Sequence, residues 1–183
     1  DTFFLMTLFA MNGLCLSGTL VTMYLFFELM TLLSMALVVH NMSKEAVAAG
    51  IKYLLYSIAG AMMGLFGIFV FSSQMASPFF VAGGAIAESS PLILWATLIT
   101  VIGFATKAGM FPMHGWLPTA HPAAPSPASA VLSGVITKAG VLCIIRFLYY
   151  VVGADLVRGT WAQTVCLIVA MVSILYGSAT AKD

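Results

Sequence analysis

Long apolar runs, each close to the length that crosses a bilayer, follow one another along this chain with only short polar breaks between them. Residues 19–39, 46–71, 91–117, 129–152 and 161–176 read as five such runs, and residues 2–14 as a partial one. A spanning helix needs roughly 20 apolar residues. Charge scarcity rules out a water-exposed surface as the alternative. Seven Lys and Arg and six Asp and Glu make up 7% of the 183 residues, and 62% are hydrophobic, where a soluble domain carries about 25% charged residues. Lipid is therefore the main solvent. The expected fold is an all-α membrane protein of about six transmembrane helices in a single transmembrane domain. With a net charge of +1 there is no basic patch to meet phosphates, so nucleic acid is not an expected partner.

The punctuation between the runs places the helix ends. Asn12-Gly13 and Ser17-Gly18 close the first segment, and His40-Asn41 the second. Ser43 stands where it can cap the helix that follows. Gly60-Ala-Met-Met-Gly64 offers a small-residue face for close helix packing, or is a chance product of a Gly-rich chain. Residues 72–90 form a connector in which 78–87 is a candidate interfacial helix. Pro91 then opens a helix at the favoured first position. Five prolines, at 112, 118, 122, 125 and 127, forbid a continuous helix through that stretch, so the 91–117 segment is expected to break at Pro112. Cys15, Cys143 and Cys166 lie in apolar runs without a CxxC pair and read as small buried hydrophobes. The chain starts at Asp1 and stops at Ala181-Lys182-Asp183, just past an apolar run. Both ends look cut, as in a fragment of a longer polypeptide. If the helices alternate, Lys44 and Lys182 share one side and Arg146 and Arg158 the other, a near tie that leans to the Lys44 side as cytoplasmic.

Several ionisable residues fall at membrane depth. Glu28 lies nine residues after Thr19, Lys52 six residues inside the 46–71 run, and Lys138 nine residues inside the 129–152 run. Lys107 lies sixteen residues past Pro91, about 24 Å along a helix. Insertion scales charge about 2.5–3.5 kcal/mol for such a residue at the bilayer centre. Snorkelling toward the interface suits Lys52, but not the short Glu28 or the central Lys138. Lys107 is followed by Gly109, Pro112 and Pro118. Irregular backbone at membrane depth is tolerated where it is buried in protein or lines a cavity, and discontinuous helices build ion sites in transporters. A carboxylate beside a lysine in low dielectric favours both charged forms, and withdrawing the acid expels the lysine's proton. Glu28, Lys52, Lys107, Lys138 and His114, which lies within the break, are thus candidates for a proton path. His40 and His121 read as polar residues at helix ends. No two histidines face each other from helix interiors to hold a haem, and no metal or cofactor is expected.

The run Ala105-Thr-Lys107-Ala-Gly-Met-Phe-Pro112-Met-His114-Gly-Trp-Leu-Pro118 closely resembles the antiporter-like subunits of NADH–quinone oxidoreductase, Mrp-type sodium/proton antiporters and energy-converting membrane hydrogenases. Tyr24-Leu-Phe-Phe-Glu28-Leu-Met, Ile51-Lys52-Tyr53, Ala123-Ala-Pro125-Ser-Pro-Ala-Ser-Ala130 and Val135-Ile-Thr-Lys138-Ala-Gly140 match the same family in order. The resemblance covers essentially the whole chain. It implies two inverted five-helix repeats, of which this chain holds the first and the start of the second. It also implies that Glu28 and Lys107 form a coupled pair and that Lys138 passes the proton toward the subunit's centre. Lys52 matches a lysine present in some relatives only. Where many relatives have Ser-Gly-Asp-Leu, this chain has Ser17-Gly18-Thr19-Leu20, so the path's entrance departs from the family pattern. The implied role is a proton-translocating, non-redox subunit of a multi-subunit complex in a prokaryotic inner membrane. A subunit of a Na+/H+ antiporter and a structural membrane spacer are the competing readings.

Overall fold

The protein is described by a computed structural model over residues 2–180. Asp1 and residues 181–183, including the Lys182 of the loop count, lie outside the described residues. The helices are α1 (Thr2–Leu16), α2 (Leu20–Val38), α3 (Lys44–Ser72), α4 (Pro91–Ala108), α5 (Leu117–Ala123), α6 (Ser126–Val152), a single turn α7 (Ala154–Val157) and α8 (Trp161–Thr180). No β-strand occurs among the described residues. Five helices, α2, α3, α4, α6 and α8, are long and apolar enough to cross a membrane, and α1 is a shorter apolar helix of 15 residues.

Side-chain caps start three of the spans. Thr19 accepts from the Thr22 amide, Ser43 from Ala46 and Ser90 from Ile93, each satisfying a donor that the first helical turn leaves free. The outer faces carry Leu25, Leu32, Leu55, Phe69 and Trp95, all exposed, which suits a hydrocarbon solvent. The inner faces of α2, α3, α4 and α6 meet around Phe27, Tyr53, Phe104 and Phe147, all buried. Phe104 packs edge-to-face on both Phe27 and Phe147. The Gly60–Gly64 face of α3 lies buried against α4, with Gly60 opposite Gly103.

Several boundaries differ from those read in the sequence. α1 runs through Asn12-Gly13 to Leu16, because the Asn12 amide folds back onto the Leu8 carbonyl at 2.9 Å rather than starting a turn. α6 starts at Ser126 rather than 129, with Pro127 in its first turn, where the ring's fixed φ fits and no amide is needed. It is continuous to Val152 through two π-helical stretches, Leu132–Ile136 and Phe147–Val152. α8 extends to Thr180 rather than 176.

Residues 78–87 are not a helix but an extended strap. Phe80 donates to the Gly18 carbonyl at 2.9 Å, and Val81, Gly83 and Ala85 donate to the carbonyls of Tyr150, Tyr149 and Val151. Those carbonyls belong to the last turn of α6, where no intrahelical donor remains. Gly84 and Gly153, both at positive φ, let the strap and the helix end touch backbone to backbone.

Arg146 ties α1 to the bundle. Its Nη1 donates to the Leu14 carbonyl at 3.0 Å, the Ser17 carbonyl at 2.9 Å and Ser17 Oγ at 3.0 Å, and its Nη2 donates to the Cys15 carbonyl. Arg146→Ala is expected to lower stability by about 3 kcal/mol, the upper value for one hydrogen bond to a charged group. The check is thermal unfolding in detergent, with faster proteolytic cutting near Ser17.

Candidate functional site

α4 carries Thr100, Gly103 and Lys107 on the face turned to α3. It stops at Ala108, not at Pro112 as the prolines suggest. Gly109 takes the left-handed conformation at φ 79° and ψ 32°. Its amide donates to the Thr106 carbonyl at 3.2 Å, and the Met110 amide reaches back to Ala105 at 3.1 Å. This pair of bonds is a Schellman closure, which only glycine enters without strain. Pro112 follows in the irregular stretch, and Pro118 lies in the first turn of α5. Trp116 is fully buried, and its indole donates to the Thr106 carbonyl at 2.9 Å. Trp116 thus pins the break to the end of α4, while the irregular stretch itself is half-buried, with Pro112 and Pro118 exposed.

Lys107, in the last turn of α4, is 1% exposed. Its ammonium donates to Tyr53 Oη at 2.8 Å and to Ser57 Oγ at 3.4 Å, both on α3. It lies 4.9 Å from the Tyr53 ring centre and 5.4 Å from that of Phe27, the range of cation–π attraction. Tyr53 Oη is 2.7 Å from Ser34 Oγ on α2, and its ring packs against Trp116 at 4.9 Å. A buried cation thus rests on neutral hydroxyls and aromatic faces. Tyr53, Ser57, Ser34 and Trp116 have no place among the sequence candidates. For Tyr53 and Ser57 the signal is a spacing: Tyr53, Ser57, Gly60 and Gly64 recur at intervals of four, three and four, one face of a helix.

Glu28 follows Phe27 on α2, and its Oε1 is buried with no hydrogen-bond partner among the described residues. Glu28 and Lys107 are not in ion-pair contact; the one ion pair among the described residues is Asp155–Arg158, on the surface. Lys52 is half-buried beside a cleft of about 340 Å³ lined by Glu45, Pro118 and Pro122. Lys138 is exposed on α6 and turned away from Lys107. The α6 residue that meets Lys107 is Gly140, where an added Cβ would stand 3.0 Å from Lys107 Cβ. His114 stacks on Phe111 at 5.7 Å and lies 4.7 Å from the Tyr176 ring, at a cleft of about 660 Å³ shared with His121 and Ser173. His114 Nδ1 is buried with no partner among the described residues, and His121 Nδ1 pairs with Ser129 Oγ at 2.9 Å. No group of three or more His, Cys, Asp or Glu able to hold a metal occurs among the described residues.

Comparison with known proteins gives the family of the chain. Hydrogenase-4 component B of Escherichia coli (strain K12) is 35% identical over 156 residues, 84% of this chain and 23% of that protein. NADH-quinone oxidoreductase subunit N of Desulforudis audaxviator (strain MP104C) is 30% identical over 181 residues, 96% of this chain and 35% of that protein. A chain of the Mrp complex from Dietzia sp. DQ12-45-1b superposes with a TM-score of 0.70 at 28% identity, over 79% of this chain and 28% of that one. The chain thus spans between about a quarter and a third of the length of these relatives. Residues 17–182 match the family described as NADH:quinone oxidoreductase/Mrp antiporter, TM. The chain is a membrane protein, and it belongs to that antiporter-like transmembrane family.

Proposed function

We propose that this chain carries one half of a proton path in a membrane complex, with Lys107 as its central titratable group and Glu28 as its modulating acid. The observation that carries this reading is the buried Lys107 ammonium, held on hydroxyls beside a helix break. A charge at that depth costs about 2.5–3.5 kcal/mol on insertion scales. Buried ion pairs add little stability, and here the lysine lacks even that partner. Retention of the charge therefore points to transport rather than to helix fastening.

In this reading Glu28 moves its charge toward and away from Lys107, and Lys138 hands the proton on toward the centre of the full-length subunit. The exposed face of α6 that bears Lys138 is where such a transfer leaves this half. Lys52 and His114, each beside a cleft, serve access to the path. The chain holds the first of two inverted repeats and the start of the second, its complex lies in a prokaryotic plasma membrane with the Lys44 end cytoplasmic, and its partners are lipid and other membrane subunits. No redox cofactor acts within it. The similarity to the Mrp complex supports a second reading, a Na+/H+ antiporter subunit in which the same groups carry H+ against Na+.

The test is Glu28→Gln in the full-length protein within its assembled complex. Proton uptake per turnover is expected to fall at least about tenfold, within the reach of a positioned proton-transfer group, with turnover chemistry retained. Undiminished uptake sinks the proposal. Uptake that requires Na+ on the opposite side selects the antiporter reading.

A further inference from the structure

Two hydroxyls behind Lys107, those of Ser34 and Tyr53, form a chain with a fixed direction. Ser34 Oγ lies 3.1 Å from the Thr31 carbonyl, which is solely an acceptor. Ser34 spends its one proton there, so in its 2.7 Å contact with Tyr53 it accepts. Tyr53 spends its own proton on Ser34, so its oxygen faces Lys107 as an acceptor only, at 2.8 Å. Trp116 packs on the Tyr53 ring and is itself bonded to the end of α4. The phenol is thus held in place from both the ring and the hydroxyl, and Tyr53 is 0% exposed. Opposite this satisfied site, Glu28 Oε1 is buried and has no partner among the described residues.

We propose that Tyr53 is a positioning residue: backed by Ser34, its hydroxyl takes the Lys107 ammonium off the Glu28 carboxylate and gives the lysine a second, neutral resting place. This rests on the proton-path reading above. It adds to that reading what the lysine binds when it is not paired with the acid. The ammonium has three donors, and Tyr53 and Ser57 engage two of them. The titratable groups that share its surroundings are Tyr53 on α3, Glu28 on α2 and Cys143 on α6. From α8, Tyr176 stands at His114 instead. Glu28 is the only carboxylate in α2, α4, α5, α6 and α8, and Glu45 of α3 is exposed eight residues before Tyr53. A lysine that leaves Tyr53 has one anionic destination.

The prediction concerns Tyr53→Phe, which keeps the ring and removes the acceptor. In vesicles that contain the assembled complex with the full-length protein, the alkaline limb of the proton-uptake profile is expected to move up by about one pH unit. An opposite charge favours the protonated lysine to that extent or more. The infrared carboxylate band of Glu28, assigned by its loss in Glu28→Gln, is expected to shift as the ion pair forms. Ser34→Ala is expected to move both readouts in the same direction by less, and it serves as the probe if Tyr53→Phe does not assemble. An assembled Tyr53→Phe complex with an unmoved profile and an unmoved Glu28 band overturns the proposal, as does a downward shift of the limb. Glu28→Gln separates the two layers. If uptake survives in that variant, the proton-path reading fails. If uptake is lost there while Tyr53→Phe behaves as wild type, only the positioning role fails.

Discussion

Lys107→Met in the full-length protein is expected to abolish proton uptake while leaving the fold as stable as before or more so. The two effects have separate causes. Methionine has a similar length and fills the same space beside Phe27 and Tyr53, but it cannot carry a proton. A positioned proton-transfer group contributes about 10²–10⁴-fold, so uptake is expected to fall at least about a hundredfold. Stability moves the other way because a buried ammonium is costly. Insertion scales place the penalty near 3 kcal/mol, and here it is offset by two hydroxyl contacts and two ring faces rather than by a carboxylate. Methionine removes the penalty and leaves the Tyr53 proton on Ser34. Uptake measured in vesicles and thermal unfolding measured in detergent together give the check. If the lysine only fastened α4 to α3, Lys107→Met would lower the unfolding temperature and spare transport. That outcome would return the spacer reading.

What the sequence makes legible here depends on whether a property is carried along the chain or across it. Membrane character is carried along it, because so few charges cannot cover a wet surface. The depth of Lys107 is likewise a count of residues from Pro91. The position of the break is less legible. Proline signals that a helix cannot continue, yet the stop belongs to Gly109, whose left-handed backbone closes the last turn before Pro112 is reached. Which way a side chain points is harder still. Lys138 and Glu28 sit equally deep in their runs, but Gly140 holds the face of α6 toward Lys107, and Lys138, two residues earlier, is turned about 200° from it. The family resemblance pairs Glu28 with Lys107, whereas the structure has the lysine on Tyr53 and Ser57. A motif of ionisable residues is silent on the neutral hydroxyls that receive them. The strap over residues 78–87 was illegible for a related reason: its hydrogen bonds go to Gly18 and to the end of α6, each some sixty to seventy residues away in the chain.

The close contact of α3 and α4 is what brings Tyr53 and Ser57 within reach of Lys107, and it leads to the largest expected effect on folding. A Cβ on Gly60 would stand 2.7 Å from the Gly103 carbonyl oxygen. A Cβ on Gly103 would stand 2.5 Å from the Gly60 carbonyl oxygen and 2.9 Å from the Gly64 amide nitrogen. All three obstacles are backbone atoms in helix interiors, so no rotamer change relieves the clash, and the helices must part. Overpacking a well-filled core costs about 1–3 kcal/mol and occasionally more. Gly103→Leu meets two backbone atoms of α3 and is expected at or beyond the upper end of that range. In lipid the penalty has little to oppose it, because tight packing rather than water exclusion holds transmembrane helices together. The readout is the yield of folded protein in mild detergent and its unfolding temperature, both expected to fall sharply. Gly134→Ala is the control, since nothing lies within 4 Å of the added methyl. It is expected to leave both readouts near wild type. A Gly103→Leu protein that folds as well as the control would mean that α3 and α4 are not held backbone to backbone, and the Lys107 cradle would lose its structural basis.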